Sequence, residues 1–167
     1  MNTMRPRYIV SACLAGIACR YDGRATACPA VVRLMQEGRA VAACPECLGG
    51  LPTPRPCCEL VGDRVVNRHG EDVTAAFLQG VRAATALARE NGCTAAILKS
   101  RSPSCGCGQV YDGTFTGVLR AGDGLWAADL RQAQMALYTE ECLPEECLPE
   151  DGLPEECLPE ECLPGDE

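Results

Sequence analysis

Three short apolar runs, each with a cysteine at or just beyond its C-terminal end, constrain this chain more than any other feature. They are "RYIVSACL" (7–14), "RAVAACP" (39–45) and "CTAAILKS" (93–100). Each is too short for a typical helix and bounded by polar or Gly/Pro residues, which is the pattern of a buried strand. Between them lie helical patterns. "PAVVRLMQEG" (29–38) stops at Gly38, and "TAAFLQGVRAATALARENG" (74–92) puts Phe77, Val81, Ala84 and Ala88 on one stripe before Asn91-Gly92 ends it. A helix over 125–134 and a strand over 136–139 follow, and "GDRVVNRHGEDV" (62–73) reads as a small hairpin. Strands alternating with helices predict an α/β fold, a parallel sheet with helices on its faces.

That topology fixes where chemistry can sit. In an open parallel sheet the carboxyl ends of the strands share one edge, and ligands bind there. Cys13 ends the first strand, Cys44 ends the second, and Cys105 rides the loop "SRSPSCG" leaving the third. Three thiols distant in sequence are therefore expected to converge. Ser, Pro and Gly around Cys105 let the backbone approach closely and leave N–H groups to stabilise sulfur charge. A structural zinc site wants four protein ligands, and the tight C-x-x-C pairs of such sites are not duplicated. A ferredoxin run is also missing. Three thiolates on a cubane cluster would leave one iron open as a Lewis acid.

Charge and cysteine content narrow the class. The formal charge of −8 is misleading: 12 acids lie from Glu140 onward, whereas residues 1–139 carry 11 acids against 15 bases, a net of +4. A mildly basic, Arg-rich body suits small anionic or nucleotide-like ligands and gives no strong nucleic-acid footprint. There is no apolar run of about 18 residues, so no membrane span is expected. Arg5 and Arg7 precede the apolar stretch 8–19, but Ser11 interrupts it and Arg20-Tyr21-Asp22 follows at once, which reads as a buried strand rather than a signal peptide. Fourteen cysteines without a secretion signal argue for reduced thiols, metal ligands or an iron–sulfur cluster in the cytoplasm, not a disulfide framework. Nothing in the sequence specifies an oligomeric state.

Residues 140–164 repeat EECLP, with EDGLP as the third unit. Proline at every fifth position excludes a regular helix, and dense like charge with few apolar groups cannot offset ordering entropy. We therefore divide the chain into a body, 1–141, and an acidic low-complexity tail, 142–167, read as a disordered appendage.

Four segments, "SACLAGIACRYDG" (11–23), "CPECLGGLPTPR" (44–55), "LKSRSPSCG" (98–106) and "YDGTFTG" (111–117), resemble in order the domain of unknown function 523 family, whose characterised members are thiouracil desulfidases. The resemblance spans about residues 7–141 and implies a small Rossmann-like three-layer domain with a mostly parallel sheet. It also implies a 4Fe-4S cluster on Cys13, Cys44 and Cys105, a fourth iron left free, and removal of sulfur from a thiolated pyrimidine such as 2-thiouracil. Water replaces the sulfur without net redox change. The family's catalytic carboxylate matches Glu46 and its active-site serine Ser102. Glu46, two residues after Cys44, could take a proton from water and return it to substrate. Ser102 could hold the water or a ring carbonyl. Lys99 and Arg101 border the same loop and could orient an anionic substrate. Cys47, Cys57, Cys58 and Cys107 stand where apolar, small or proline residues are more usual, and Cys107 could compete for iron.

Other readings fit some of these residues. Cys44-Pro-Glu-Cys47 is a C-x-x-C, so thiol–disulfide exchange is one alternative; a metal- or sulfur-binding module without turnover is another. Cys19 and Cys28 read as packed or loop thiols, Cys93 as core, Cys57-Cys58 as an incidental pair and His69 as a turn residue. The G-x-G-x-x-A at 122–127 reads as a turn into the last helix. Asp22 and Asp112, each before glycine, read as turn formers.

Overall fold

The computed structural model describes residues 7–148. The reading of Arg5, and of the tail beyond 148, falls outside the described residues. Four strands, β1 (Tyr8–Ser11), β2 (Ala40–Ala43), β5 (Ala95–Leu98) and β8 (Ala136–Thr139), form one sheet in the order β2-β1-β5-β8. Every pairing in it is parallel, with Tyr8 opposite Ala40 on one side and Ala95 on the other. A 3₁₀ turn, Ala12–Ala15, follows β1 directly.

The sheet is buried on both faces, which is why its central strands are apolar at successive positions rather than at alternate ones. Tyr8, Val10 and Ile97 point to the side of α1 (Pro29–Gln36) and pack with Val31 and Leu34. Ile9, Ala96 and Leu98 point the other way, against α3 (Thr74–Glu90) and α4 (Leu125–Gln132), where Val81, Ala84, Ala88, Trp126 and Leu130 meet them. This is the expected three-layer α/β architecture. The stripe read from the sequence is the buried face of α3: Phe77, Val81, Ala84 and Ala88 are all in the core.

The hairpin lies upstream of where it was expected. Its strands are β3 (Cys58–Val61) and β4 (Arg64–Asn67), antiparallel, with Cys58 opposite Asn67. Gly62-Asp63 is the two-residue turn in its middle, not its start; Gly62 takes φ +64°, which suits glycine. The segment after β4 turns again and closes with a bridge from Val66 to Asp72. A second antiparallel pair, β6 (Gln109–Tyr111) and β7 (Leu119–Ala121), was not visible in the sequence. At three residues each, these strands carry no readable periodicity.

The short helix α2 (Pro45–Leu48) begins with proline immediately after Cys44. It crosses α3 at backbone contact distance. A Cβ on Gly80 would lie 1.7 Å from the Pro45 carbonyl oxygen, and one on Gly49 would lie 2.0 Å from that of Ala76. Only glycine fits at either position, and the contact fixes the helix that carries Glu46.

The packed chain runs past residue 141. Leu143 packs on the core, and Cys147 is only 8% exposed. The Tyr8 hydroxyl and Arg39 both donate to Glu146, the latter at 2.9 Å. Composition alone argued against order here, but the body supplies a cation, a phenol and an apolar surface for this one unit. Among the described residues, no helix is long and apolar enough to cross a membrane.

Glu140 clamps the loop that leaves β5. Its carboxylate accepts from the Ser100 backbone N–H at 2.9 Å and from Lys99 Nζ at 2.9 Å. Burial opposes its ionisation, but the Ser100 hydroxyl and the Lys99 ammonium outweigh burial and lower its pKa. A lowered folded-state pKa stabilises the fold above the ordinary carboxylate range, and the gain disappears as pH falls through the lowered value. Glu140→Gln is therefore expected to cost about 1–3 kcal/mol at neutral pH. Chemical denaturation of the two proteins should show the gap closing as pH drops below about 4.

Candidate active site at the carboxyl edge of the sheet

The carboxyl ends of β1, β2 and β5 open into one cavity of about 380 Å³, within the size range of small-molecule sites. Cys13, Cys44 and Cys105 all line it, from three separate segments, together with Glu46 and Ser102. The topological argument thus places its three thiols correctly. All three are free. Among the described residues, no group of three His, Cys, Asp or Glu side chains is arranged to hold a single metal ion. A cubane cluster makes a different demand, taking one thiolate on each of several irons, so its ligands stand further apart. Three convergent free thiols around an open volume fit such a group.

Two of the three thiols, Cys44 and Cys105, are shifted upward by their surroundings. Burial pushes Cys105 up to about 12, against the pull of hydroxyls from Ser11 and Ser104. The Cys19 thiol, and then burial, push Cys44 upward. Iron binding would displace these protons, as it does at any thiolate site. Cys19 is itself buried in the wall and is raised to about 11, first by its contact with Cys13.

Glu46 sits in the first turn of α2 with both carboxylate oxygens engaged. Arg55 Nε donates to Oε1 at 3.1 Å, and the Ser104 hydroxyl donates to Oε2 at 3.0 Å. Arg55 is only 8% exposed, and its remaining nitrogens are occupied. Nη2 donates to the Cys19 carbonyl at 2.9 Å, and Nη1 reaches Thr53 Oγ1 at 3.0 Å and the Pro52 carbonyl at 3.2 Å. Ser102 Oγ accepts the backbone N–H groups of Cys105, at 3.1 Å, and of Ser104, at 3.2 Å, so it also shapes the ligand loop. Lys99 and Arg101 are on the cavity wall as expected, yet each already pairs with a glutamate, Glu140 and Glu141, at 2.9 Å.

Comparison with known proteins decides the lineage. The family model for 2-thiouracil desulfurase matches residues 8–142. This chain belongs to that family. The crystallised [4Fe-4S]-dependent thiouracil desulfidase TudS (DUF523Vcz) superposes with a TM-score of 0.80 at 46% identity, covering 84% of this chain and 95% of that one. An uncharacterized Bacillus subtilis (strain 168) protein, YbbK, is 42% identical over 142 residues, which is 79% of this chain and 94% of YbbK. The family resemblance read from the four motifs is thus the family matched.

Within this 2-thiouracil desulfurase fold the other cysteines separate clearly. Cys107 does not line the cavity; its sulfur accepts from Arg131 Nη2 at 3.3 Å on the far side of the loop. Cys93 is in the core on the α3 side of the sheet and Cys28 packs against the core on the α1 side, whereas Cys57 and Cys58 join the cavity wall. The C-x-x-C pair lacks the signature of exchange chemistry. Reactive thiols have lowered pKa values, but Cys44 and Cys47 are both raised, Cys47 chiefly by burial. Asp22 and Asp112 accept from backbone N–H groups two residues on, at Arg24 and Thr114, as turn formers do. The peptide N–H of His69 is tied to Asn67 Oδ1 in the second turn. Gly124 ends the turn into α4.

Among the polar residues of this cavity that the sequence did not point to are Arg55 and Ser104. Arg55 closes the quoted "CLGGLPTPR" segment, and its proline-rich setting gives no sign that it folds back under Glu46. Ser104 is one residue from Cys105, and only the folded loop shows it lying between Glu46 and Ser102.

Proposed function

We propose that this protein removes sulfur from thiolated pyrimidines such as 2-thiouracil, with a 4Fe-4S cluster held by Cys13, Cys44 and Cys105. The observation that carries the reading is the meeting of those three free thiols and Glu46 in one cavity. When bound, the cluster would supply a Lewis acid for the substrate's sulfur and would make sulfide a better leaving group. The overall change is thiocarbonyl plus water to carbonyl plus hydrogen sulfide, so no electrons are needed.

The protein's own groups move protons and hold partners. Glu46 takes a proton from the attacking water and returns it to the departing sulfide or the ring. Arg55 fixes one carboxylate oxygen and keeps the side chain aimed into the cavity. Ser102 faces the cavity and can hold the water. The desulfidase unit is the body together with the docked residues 142–148, and its reduced thiols suit the cytoplasm.

The test is anaerobic reconstitution followed by sulfide quantitation with 2-thiouracil. Uracil and sulfide are expected in equal amounts with no added reductant. A fully loaded protein that releases no sulfide from any thiopyrimidine would overturn this reading.

A further inference from the structure

Ser104 occupies a position that the roles given to Glu46 and Ser102 leave unexplained. Its side chain is buried at 1% exposure, yet its hydroxyl lies 3.0 Å from Glu46 Oε2 and 3.0 Å from Ser102 Oγ. A count of donors and acceptors gives this chain a direction. Ser102 Oγ already accepts two backbone N–H groups, those of Ser104 and Cys105. A hydroxyl has two acceptor sites and one proton, so the Ser102 proton points to Ser104 Oγ. The Ser104 proton then points to Glu46 Oε2. Cys105 Sγ, at 3.6 Å, is its longer and weaker alternative.

The other oxygen of Glu46 is closed to this traffic. Oε1 faces the Arg55 guanidinium, which has no acceptor and does not give up its proton. The oxygen able to receive a proton is the one that Ser104 touches.

We infer that Ser104 is the relay hydroxyl between the cavity and Glu46, an inference that rests on the desulfidase reading. A water that takes over the acceptor site held by the longer of the two N–H contacts, that of Ser104 at 3.2 Å, gives its proton to Ser102 Oγ as the Ser102 proton passes to Ser104 Oγ and the Ser104 proton passes to Glu46 Oε2. Three O–H bonds break and three form, leaving hydroxide at the substrate carbon and a neutral carboxyl. The reverse shift returns the proton to the leaving sulfide. Ser104 is thus a positioning and relay residue that acts through its neighbours.

The experiment compares Ser104→Ala and Ser104→Thr with the wild-type holoenzyme, using 2-thiouracil. Ser104→Ala is expected to lower kcat about 10²-fold, with KM and iron content unchanged and the melting temperature lowered by several degrees, and Ser104→Thr to recover most of the rate. In H₂O/D₂O mixtures, single-turnover rates of the wild type should bow downward, showing more than one proton in flight. Alanine turnover within threefold of wild type, a threonine variant no better than alanine, or a straight proton inventory would each overturn the relay. If the alanine variant fails to fold, the wild-type inventory decides. A wild type without any sulfide release would overturn the function itself, which separates the two failures.

Discussion

Glu46→Gln is expected to lower kcat for sulfide release by about 10²–10⁴-fold while bound iron and acid-labile sulfide stay at the wild-type level. The amide keeps the shape of the side chain: its oxygen can still accept from Arg55, while its NH2 group faces the Ser104 hydroxyl as a donor, so the fold of α2 is preserved. It loses the ability to take up a proton. Because the charge is removed beside a buried guanidinium, some stability is also lost, and thermal melting of the loaded protein should fall by several degrees. The two effects separate in a fully folded sample assayed below its melting range. Turnover close to wild type in such a sample would show that proton uptake occurs elsewhere, and the assignment of Glu46 would fail.

Single replacements of Cys13, Cys44 and Cys105 by alanine are expected to act on the cluster itself. Each should reduce bound iron from about four per chain to below about one after anaerobic reconstitution, and abolish sulfide release. Two thiolates cannot fix a cubane in a cavity this open. Cys107→Ala is the matched control: its sulfur faces Arg131 outside the cavity, so iron content and turnover should not change. Iron analysis and the visible absorption band of the cluster check both statements. A Cys13 variant that still binds a full complement of iron would show that a neighbour, Cys19 being the obvious one, can take its place.

The parts of this site legible in the sequence were those that depend on backbone periodicity. Short apolar runs located the strands, parallel topology put their ends on one edge, and Cys13, Cys44 and Cys105 followed as neighbours. Glu46 and Ser102 came instead from the family resemblance, and the two-residue step from Cys44 only explains why Glu46 lies close by. What stayed hidden depends on tertiary return. Arg55 is nine positions past Glu46 on an aperiodic loop, and only the folded chain shows its guanidinium underneath the carboxylate. Ser104 and Ser102 are chemically alike in sequence, and hydrogen-bond counting in three dimensions is what tells them apart. The docking of residues 142–148 was hidden for the opposite reason. Average composition describes a whole repeat tract, while Tyr8 and Arg39 bind one particular copy of it.

The touching backbones at Gly49 and Gly80 have a further consequence. Neither codon can drift to even the smallest chiral residue by itself, since one added methyl would wedge the two segments apart and swing Glu46 outward. A designer wishing to loosen the reaction chamber without changing a side chain in its walls could therefore work from this contact, which lies directly behind Pro45 of the cavity lining.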